Sequence, residues 1–247
     1  MVAYPGGMYM ISEIVKWTND NQGVVTVLVF LCTLAIGWAS GIFQSLRRKP
    51  RFRIEVLPGP SLCSTFLTGE KFNGYDVHRT AIAVYLKVTN IGSAPSSIDN
   101  VSVGYHWHLN KLNWMWLKYR LMWFWLDHPI VSMQDFQYDF GDNIKIYPFL
   151  LQGTVSIMKS PKAYLLVGQS ENGVVYFEQP ESWGGCFPSP ERGETKIRVR
   201  IRDSFGKAHY KTTRVPVVPL EEAKKYCPAF GDTYMILKDK EKPEAMT

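Results

Sequence analysis

The most concentrated chemical feature of the sequence is a row of cations that could bind an anion. Residues 196–202 read Lys-Ile-Arg-Val-Arg-Ile-Arg. This strict alternation predicts a β-strand with its branched apolar residues in the core and its cations on the opposite face. Like charges crowded on one sheet face repel each other unless carboxylates or a bound anion lie between them. The candidate anion-binding residues are Lys196, Arg198, Arg200, Arg202 and, from the next strand, Lys207.

Two interpretations of this row are open. In the first, it is a solvated face whose charge is balanced by acidic residues such as Glu178. In the second, it binds phosphate, a nucleotide, an oligonucleotide or an acidic partner protein. Arginine suits phosphate because its planar guanidinium can donate two parallel hydrogen bonds. Lys211 and Arg214 on the following strand have opposite parity, so they cannot both lie on the face of the row.

Catalytic chemistry finds little support in the sequence. It contains no Gly-x-Ser-x-Gly, no glycine-rich phosphate loop ending in Lys-Ser/Thr and no His-Glu-x-x-His. We therefore predict a protein that is not an enzyme, with no catalytic residues and no cofactor. A membrane-bound hydrolase stays open as an alternative, because the members of a catalytic triad need not be adjacent in sequence.

Two histidines could begin a metal site. His106 and His108 stand at strand spacing, so both rings would lie on one face. A third ligand would have to come from His128, Cys63 or Cys186, and we favour a hydrogen-bonded structural pair in this aromatic setting. No metal is predicted.

The net charge of +6 is concentrated in one short segment. Residues 47–53 hold five basic side chains and no acidic one, whereas residues 54–247 hold 22 basic and 20 acidic side chains. The excess charge therefore does not indicate a generally basic, nucleic-acid-binding surface.

An apolar segment precedes the basic run. Residues 24–43 carry no charge over 20 positions, which as a helix would cover about 30 Å, the thickness of a bilayer core. We predict a transmembrane helix at 23–46. The 22 residues before it are slightly acidic, which argues against a cleaved signal peptide.

The basic run sets the predicted orientation, because Lys and Arg prefer the cytoplasmic flank of a span. We expect a single-pass protein of the cell inner membrane, with residues 1–22 outside and the large C-terminal part in the cytoplasm. Four unpaired cysteines agree with this location, because the cytoplasm is reducing. The predicted lipid-headgroup residues in the juxtamembrane run 47–53 are Arg47, Arg48, Lys49 and Arg51.

Small and polar residues form a stripe on the predicted span, including a small-x-x-x-small pair. The stripe could be residues simply tolerated in an anchor, a self-association face, or the lining of a narrow pore in an assembly of several copies. Its members are Thr26, Phe30, Thr33, Gly37, Ser40, Gly41 and Gln44.

After Pro50 the hydrophobic period changes to two, and we predict an antiparallel β-sandwich over residues 54–218. Asn172-Gly173 and residues 203–206 are turn signals that should each join two strands as a hairpin. Residues 219–247 should form a short helix and a mobile tail. The predicted strands are 52–56, 80–88, 98–105, 144–151, 155–158, 163–168, 174–178, 196–202 and 209–217.

One part of this domain carries a resemblance to a known family. Residues 85–92 read Tyr-Leu-Lys-Val-Thr-Asn-Ile-Gly and residues 98–103 read Ile-Asp-Asn-Val-Ser-Val. Together they resemble the Asn-x-Gly strand–turn–strand of immunoglobulin-like bacterial domains, and residues 201–207 resemble the last hairpin of such domains. The resemblance covers about 40 residues, implies a topology and implies no function.

A tryptophan-rich insertion at 105–128 interrupts the strand pattern. It could cap the core or contact another subunit, since Trp and Tyr are enriched at such places. It could instead lie on the membrane surface with its cations toward lipid phosphate. The residues concerned are Trp114, Trp116, Lys118, Arg120, Trp123 and Trp125.

These features predict a membrane-anchored homo-oligomeric effector or channel subunit. Its cytoplasmic β-domain would sense a nucleotide, an oligonucleotide or a partner protein and shift the assembly between closed and open states. In layout such a protein resembles single-span effectors of bacterial antiphage systems. The alternative is a passive membrane-tethered adaptor that uses the tryptophan-rich insertion for protein–protein contact.

Overall fold

The computed structural model describes residues 6–40, 48–109, 114–152 and 164–236. The chain forms two compact units, Met1–Arg48 and Lys49–Thr247.

The first unit is helical. Helix α1 covers Gly6–Asp20 and helix α2 covers Gln22–Ala39. Asn21, between them, has φ −120° and ψ 39°, outside the helical region. Helix α1 was not predicted from the sequence, because the order of its apolar and charged residues does not show a clear helical period.

Helix α2 is apolar on all sides. Its mean hydropathy is 1.9 and none of its residues is buried within the protein. Eighteen residues rise about 27 Å, so the helix is long and apolar enough to cross a bilayer core. The predicted apolar N-terminal helix is confirmed; residues 41–46 of the predicted span lie outside the described residues.

One sheet of the second unit is organised around a single long strand. The central strand β3 has β1 and β2 on one edge and β9 and β10 on the other, and all of these pairings are antiparallel. The strands are β1 Phe52–Val56, β2 Leu62–Phe72, β3 Tyr75–Asn90, β9 Ser170–Glu178 and β10 Ser182–Trp183.

The other sheet runs in the order β13-β12-β4-β5, again with antiparallel pairing. Two short strands extend it, with β11 on β12 and β8 on β4. The strands are β4 Ser96–Tyr105, β5 Phe124–Leu126, β8 Tyr164–Leu165, β11 Pro190–Glu191, β12 Glu194–Asp203 and β13 Ala208–Pro216. This confirms the predicted mainly β class with antiparallel sheets.

Three further elements complete the described chain. Helix α3 lies within the tryptophan-rich insertion, and helix α4 confirms the short helix expected after residue 218. A separate hairpin is formed by β6 and β7. The elements are α3 Trp114–Leu121, α4 Leu220–Ala223, β6 Phe136–Asp139 and β7 Ile144–Tyr147.

Both sheets contribute to one hydrophobic core. Alternate residues of β3, such as Leu86, share it with Val103 of β4 and Ile201 of β12. The intervening residues of β3, such as Ala83, belong to a second core that includes Phe230. Because β3 is buried on both faces, its sequence is a continuous apolar run rather than an alternating one.

The expected hairpin at Asn172-Gly173 is wrong. Both residues lie inside β9, where Asn172 pairs with Lys87 of β3. A Cβ on Gly173 would lie 2.3 Å from the backbone nitrogen of Leu150, because the backbone around Phe149 runs alongside β9 and pairs with Val174 in a parallel bridge. Glycine is favoured both in tight turns and where another backbone approaches closely. The Asn172-Gly173 dipeptide alone therefore did not distinguish a turn from a strand.

The remaining strand predictions hold with altered bounds. Proline 148 ends β7 earlier than expected, and β8 is only two residues long. The predicted strand 155–158 lies outside the described residues. The hairpin at 203–206 is confirmed as the connection of β12 to β13.

Candidate anion-binding site

The cationic row occupies the outer face of β12. Residues at odd positions, such as Val199, are fully buried, while Arg198 and Arg200 are half-exposed. In register, Arg198 faces Gly104 of β4 and Arg200 faces Ser102. The alternation in the sequence therefore gives the correct face for each cation.

Arg200 is held by three groups. Its guanidinium forms an ion pair with Asp127 and donates a hydrogen bond of 3.2 Å to the Ser102 hydroxyl. It also lies 4.4 Å from the centroid of the Trp125 ring. A carboxylate and an aromatic face thus separate Arg200 from its cationic neighbours, which relieves the repulsion expected from the sequence.

Arg198 lies between two aromatic rings. Its guanidinium carbon is 4.5 Å from the Tyr210 centroid and 5.8 Å from that of Trp123. We call the set Trp123, Trp125, Arg198, Arg200 and Tyr210 the cation–aromatic ladder. Among the described residues, the buried Nε of Arg198 has no hydrogen-bond partner, so aromatic contact replaces polar contact at this point.

Gly104 leaves room for the ladder. A Cβ at this position would lie 3.0 Å from the Trp125 ring and 3.2 Å from Cβ of Trp123. Trp123 and Trp125 therefore lie close to the β4 backbone, within reach of the arginines of β12. The sequence shows only that a glycine interrupts the β-strand pattern at this position. It does not show which side chains approach that glycine.

Glu178 does not balance the row, contrary to the first interpretation above. It pairs with Arg79 inside the other sheet. The row is balanced instead by Asp127 and by aromatic rings. Asp127 and the two tryptophans precede Arg198 and Arg200 by more than 70 positions in sequence, so alternation alone could not identify them.

The five predicted anion-binding residues separate into three groups. Arg198 and Arg200 belong to the ladder. Arg202 and Lys207 lie at the end of the sheet where β12 turns into β13, and within the described residues their side chains form no ion pair. Lys196 lies at the opposite end of the row and lines a cavity.

This cavity has a volume of about 650 Å³. Its lining combines two cations, one carboxylate, two imidazoles and two hydroxyls with an apolar remainder. The lining residues are His106, Trp107, His108, Leu109, Ser189, Pro190, Glu191, Thr195, Lys196 and Arg214. The volume falls within the range of small-molecule sites.

Arg214 is the second cation of the cavity, and sequence reasoning missed its role. It is the cross-strand partner of Lys196, and its guanidinium forms an ion pair of 2.7 Å with Glu191. Lys211 pairs in register with Val199 and so has the opposite parity. The odd spacing of Lys211 and Arg214 in the sequence shows that only one of them can share a face with the row. The structure identifies that residue as Arg214.

The two histidines occupy the cavity wall. The His106 ring packs on Trp123 with centroids 4.1 Å apart, and His108 stacks on Phe187 at 5.1 Å. The Nδ1 atom of His108 is 3.4 Å from the Ser189 hydroxyl. Among the described residues no cluster of three His, Cys, Asp or Glu side chains could hold a metal ion.

The wall behind His108 is a buried aromatic contact. Phe187 packs edge-on against His78 at 5.2 Å, and burial lowers the pKa of His78. Burial likewise raises the pKa of the neighbouring Cys186 thiol. A Cβ on Gly185 would lie 2.0 Å from the His108 carbonyl oxygen. This loop is therefore fixed closely against the chain that follows β4.

The stripe of α2 is partly described. Its hydroxyls bond within the helix: Thr26 donates to the Gln22 carbonyl and Thr33 to the Val29 carbonyl, both at 2.8 Å. The hydroxyl of Ser40 donates to the carbonyl of the stripe residue Gly37 at 3.0 Å. Phe30 is exposed, and Gly41 and Gln44 lie outside the described residues.

The tryptophan-rich insertion divides into two parts. Trp123 and Trp125 are half-buried and belong to the ladder. Trp114 on α3 is 79% exposed, and Lys118 is exposed. The side chains of Trp116 and Arg120 lie outside the described residues.

The juxtamembrane cations that the structure describes are exposed. They are Arg48, Lys49 and Arg51; Arg47 lies outside the described residues.

The sequence matches no protein-family model and no curated protein sequence.

Proposed function

We propose that this protein is a membrane-anchored, non-catalytic effector whose cytoplasmic domain binds a nucleotide-type anion. The observation that carries the proposal is the pairing of Lys196 with Arg214 at the wall of a 650 Å³ cavity that also holds two imidazole rings. Phosphate would be bound by the two cations, and a base could stack on the aromatic lining.

The anchor is α2, which would cross the cell inner membrane once. The apolar composition of α2 and the exposure of all its residues support such an anchor. The cations of residues 47–53 would remain on the cytoplasmic side, with α1 outside. The backbone-bonded hydroxyls of Thr26 and Thr33 suit a lipid environment, because their polar hydrogens are already used.

The cytoplasmic domain would be immunoglobulin-like. In such domains the second strand pairs with the first and the fifth, and the sixth lies between the third and the seventh. Strand β3 pairs with β1 and β9, and β12 lies between β4 and β13. The same pairings therefore arise when β3, β4, β9 and β12 are taken as the second, third, fifth and sixth strands, with β5 as an added edge strand.

Ligand binding is tested on the full-length protein in detergent. Isothermal titration with a panel of mononucleotides and cyclic and linear oligonucleotides should find a binder, and Lys196→Glu and Arg214→Glu should each weaken it at least about tenfold. The matched control is Lys211→Glu, on the same strand as Arg214 but with opposite parity, and it should bind normally. If no panel member binds, or all three variants bind alike, the cavity is not the site.

Assembly and conduction are the second part of the proposal. Small residues on the α2 stripe would let helices pack closely into an oligomer. Gly37→Leu should convert the oligomer to a monomer in analytical ultracentrifugation, while Ala35→Leu, on the opposite side of α2, should not. A monomeric wild-type protein would eliminate the assembly. Nucleotide-dependent ion flux from reconstituted liposomes would distinguish a channel from an anchor.

A second candidate function is that of a passive adaptor. Helix α3 favours it, because Trp114, Met115, Leu117 and Met122 are exposed at 79%, 44%, 43% and 59%, an unusual concentration for a surface facing only water. An adaptor would bind a partner protein through α3, would lose that partner on Trp114→Ser, and would bind no nucleotide. The titration above therefore separates the two functions.

A further inference from the structure

We propose that one end of the β-domain is a docking surface for anionic phospholipid, separate from the ligand cavity. We call this end the entry surface and define it by Ile91, Leu166, Val167 and Phe205 together with Lys49, Arg51 and Lys207. The inference rests on the membrane attachment in the proposed function, because it concerns how the domain meets the bilayer to which α2 would tether it.

The entry surface is where the chain arrives from the apolar helix. The Lys49 backbone N–H donates to the Ser93 hydroxyl at 3.2 Å, and the Ile91 N–H donates to the Arg51 carbonyl at 2.8 Å. A Cβ on Gly92 would lie 2.4 Å from the Arg51 nitrogen, so the arriving chain and this turn are in direct contact. Lys49 and Arg51 thus lie against the turn between β3 and β4.

A second turn is bonded to the first. The Gly168 N–H donates to the Asn90 carbonyl at 2.7 Å, and the Asn90 side-chain amide donates to the Leu165 carbonyl at 3.1 Å. The turn from β8 to β9 therefore lies beside the turn from β3 to β4. Its tip residues Leu166 and Val167 are 57% and 55% exposed.

The third turn, from β12 to β13, is fixed by a buried carboxylate. Asp203 accepts hydrogen bonds of 3.0 Å from the backbone N–H groups of Phe205 and Lys207. The Phe52 N–H donates to Nδ1 of His209, so Nε2 of that ring carries the proton and donates to Asp203 at 2.9 Å. This chain of bonds links the Phe205 turn to the strand that begins just after the chain enters.

The three turns present apolar tips surrounded by cations. Phe205 is 71% exposed, although nothing in turn chemistry requires an aromatic residue there. Lys49, Arg51 and Lys207 are exposed beside the tips. Large apolar side chains flanked by lysine and arginine match an anionic bilayer surface, where the apolar groups enter the headgroup layer and the cations meet phosphate.

The acidic residues near this end do not oppose such contact. Asp203 is fully buried and its oxygens accept the three bonds described above. Asp99 and Glu171 lie within strands β4 and β9 rather than at the tips of the turns.

The test places a fluorescent probe on the entry surface of the full-length protein in nanodiscs. Phe205→Cys is labelled with an environment-sensitive maleimide in a Cys32→Ala, Cys186→Ala background, because the remaining thiols Cys63 and Cys227 are buried and do not compete. The matched control is Tyr75→Cys, an exposed aromatic position at the opposite end of β3. Headgroup nitroxide lipids should quench the probe at position 205 at least about threefold more than the probe at position 75.

A second experiment varies the lipid composition of the nanodisc and the charge of the entry surface. Quenching at 205 should be greater with phosphatidylserine present than with phosphatidylcholine alone, and Lys207→Glu should remove most of that increase. Lys211→Glu, on the same hairpin but away from the tip, should leave the increase in quenching unchanged. Equal quenching at 205 and 75, or none at 205 in anionic nanodiscs, would overturn the proposal.

The outcome is separable from the proposed function. Resistance of the protein to alkaline carbonate extraction reports membrane integration, and nucleotide titration reports the cavity. An integrated, nucleotide-binding protein with an unquenched probe would refute the entry surface alone. Extraction by carbonate would refute the span and, with it, the docking surface.

Discussion

The Arg79 guanidinium and the Glu178 carboxylate form an ion pair of 2.8 Å, with side-chain exposures of only 3% and 1%. Glu178 also accepts hydrogen bonds from the Tyr176 hydroxyl at 2.5 Å and from the backbone N–H groups of Thr233 and Tyr234. The pair therefore attaches the segment after α4 to the interior of the β3–β9 sheet.

Breaking this pair should strongly destabilise the domain. Glu178→Gln leaves the Arg79 charge buried without its counter-charge, and we expect a loss of about 3–5 kcal/mol in the free energy of unfolding. Urea denaturation in detergent, followed by tryptophan fluorescence, measures it. The control is Lys71→Ala, which breaks an exposed pair with Asp76 at 3.9 Å and should cost less than about 1 kcal/mol. Equal effects would show that burial does not matter here.

Gly173→Ala should also be costly. The new methyl would collide with the Leu150 backbone at 2.3 Å, and neither strand can yield without losing hydrogen bonds. We expect destabilisation of about 2–3 kcal/mol or more. Ser170→Ala on the same strand loses only an exposed hydroxyl contact to Thr89 and should cost about 1 kcal/mol or less. A neutral Gly173→Ala would contradict the close approach of these two backbones.

The cation–aromatic ladder should show measurable coupling. A double-mutant cycle of Arg198→Leu and Tyr210→Leu should give an interaction energy of about 0.5–1 kcal/mol, because the guanidinium lies 4.5 Å from the ring. The same cycle between Lys71 and Tyr210, which belong to different sheets, should give a value near zero. Coupling absent from the first cycle would mean that the arginine does not rest on the ring.

Cys63 should make the domain sensitive to alkali. Burial raises the pKa of its thiol from 9.0 to about 12. Between these values the unfolded chain has lost a proton that the folded chain retains, so stability falls as pH rises through this window and is unaffected by this group below it. Urea midpoints measured across the window should decline, and Cys63→Ala should reduce the slope. An unchanged slope would assign the decline to other groups.

Much of the β-domain could be predicted because alternation is a local property. Strand β12 shows a period of two, and its buried and exposed residues follow that period. Strand β2 was missed because its outer half, with Gly69, Glu70 and Lys71, extends beyond the core and carries no apolar pattern. Where two elements meet, as at Gly173, the sequence shows the residue but not its neighbour.

The candidate site was predictable only in part for the same reason. The strand pattern identified Lys196 and the cations beside it, and parity separated Arg214 from Lys211. The carboxylates that pair with Arg200 and Arg214 come from Asp127, directly after the short strand β5, and from Glu191 in the two-residue strand β11. No repeat in the sequence connects these carboxylates to the cations of β12. Their proximity is therefore visible only in the three-dimensional structure.

The long central strand has a consequence for biosynthesis. Strand β3 ends at Asn90, whereas its edge partner β9 begins only at Ser170. A ribosome must therefore release most of the domain before one side of a strongly apolar strand can be covered, and such non-local pairing folds slowly. During that interval the nascent chain exposes an aggregation-prone edge. We expect production of this protein to depend on chaperones that hold nascent chains, and slower translation through residues 91–169 to lower its yield.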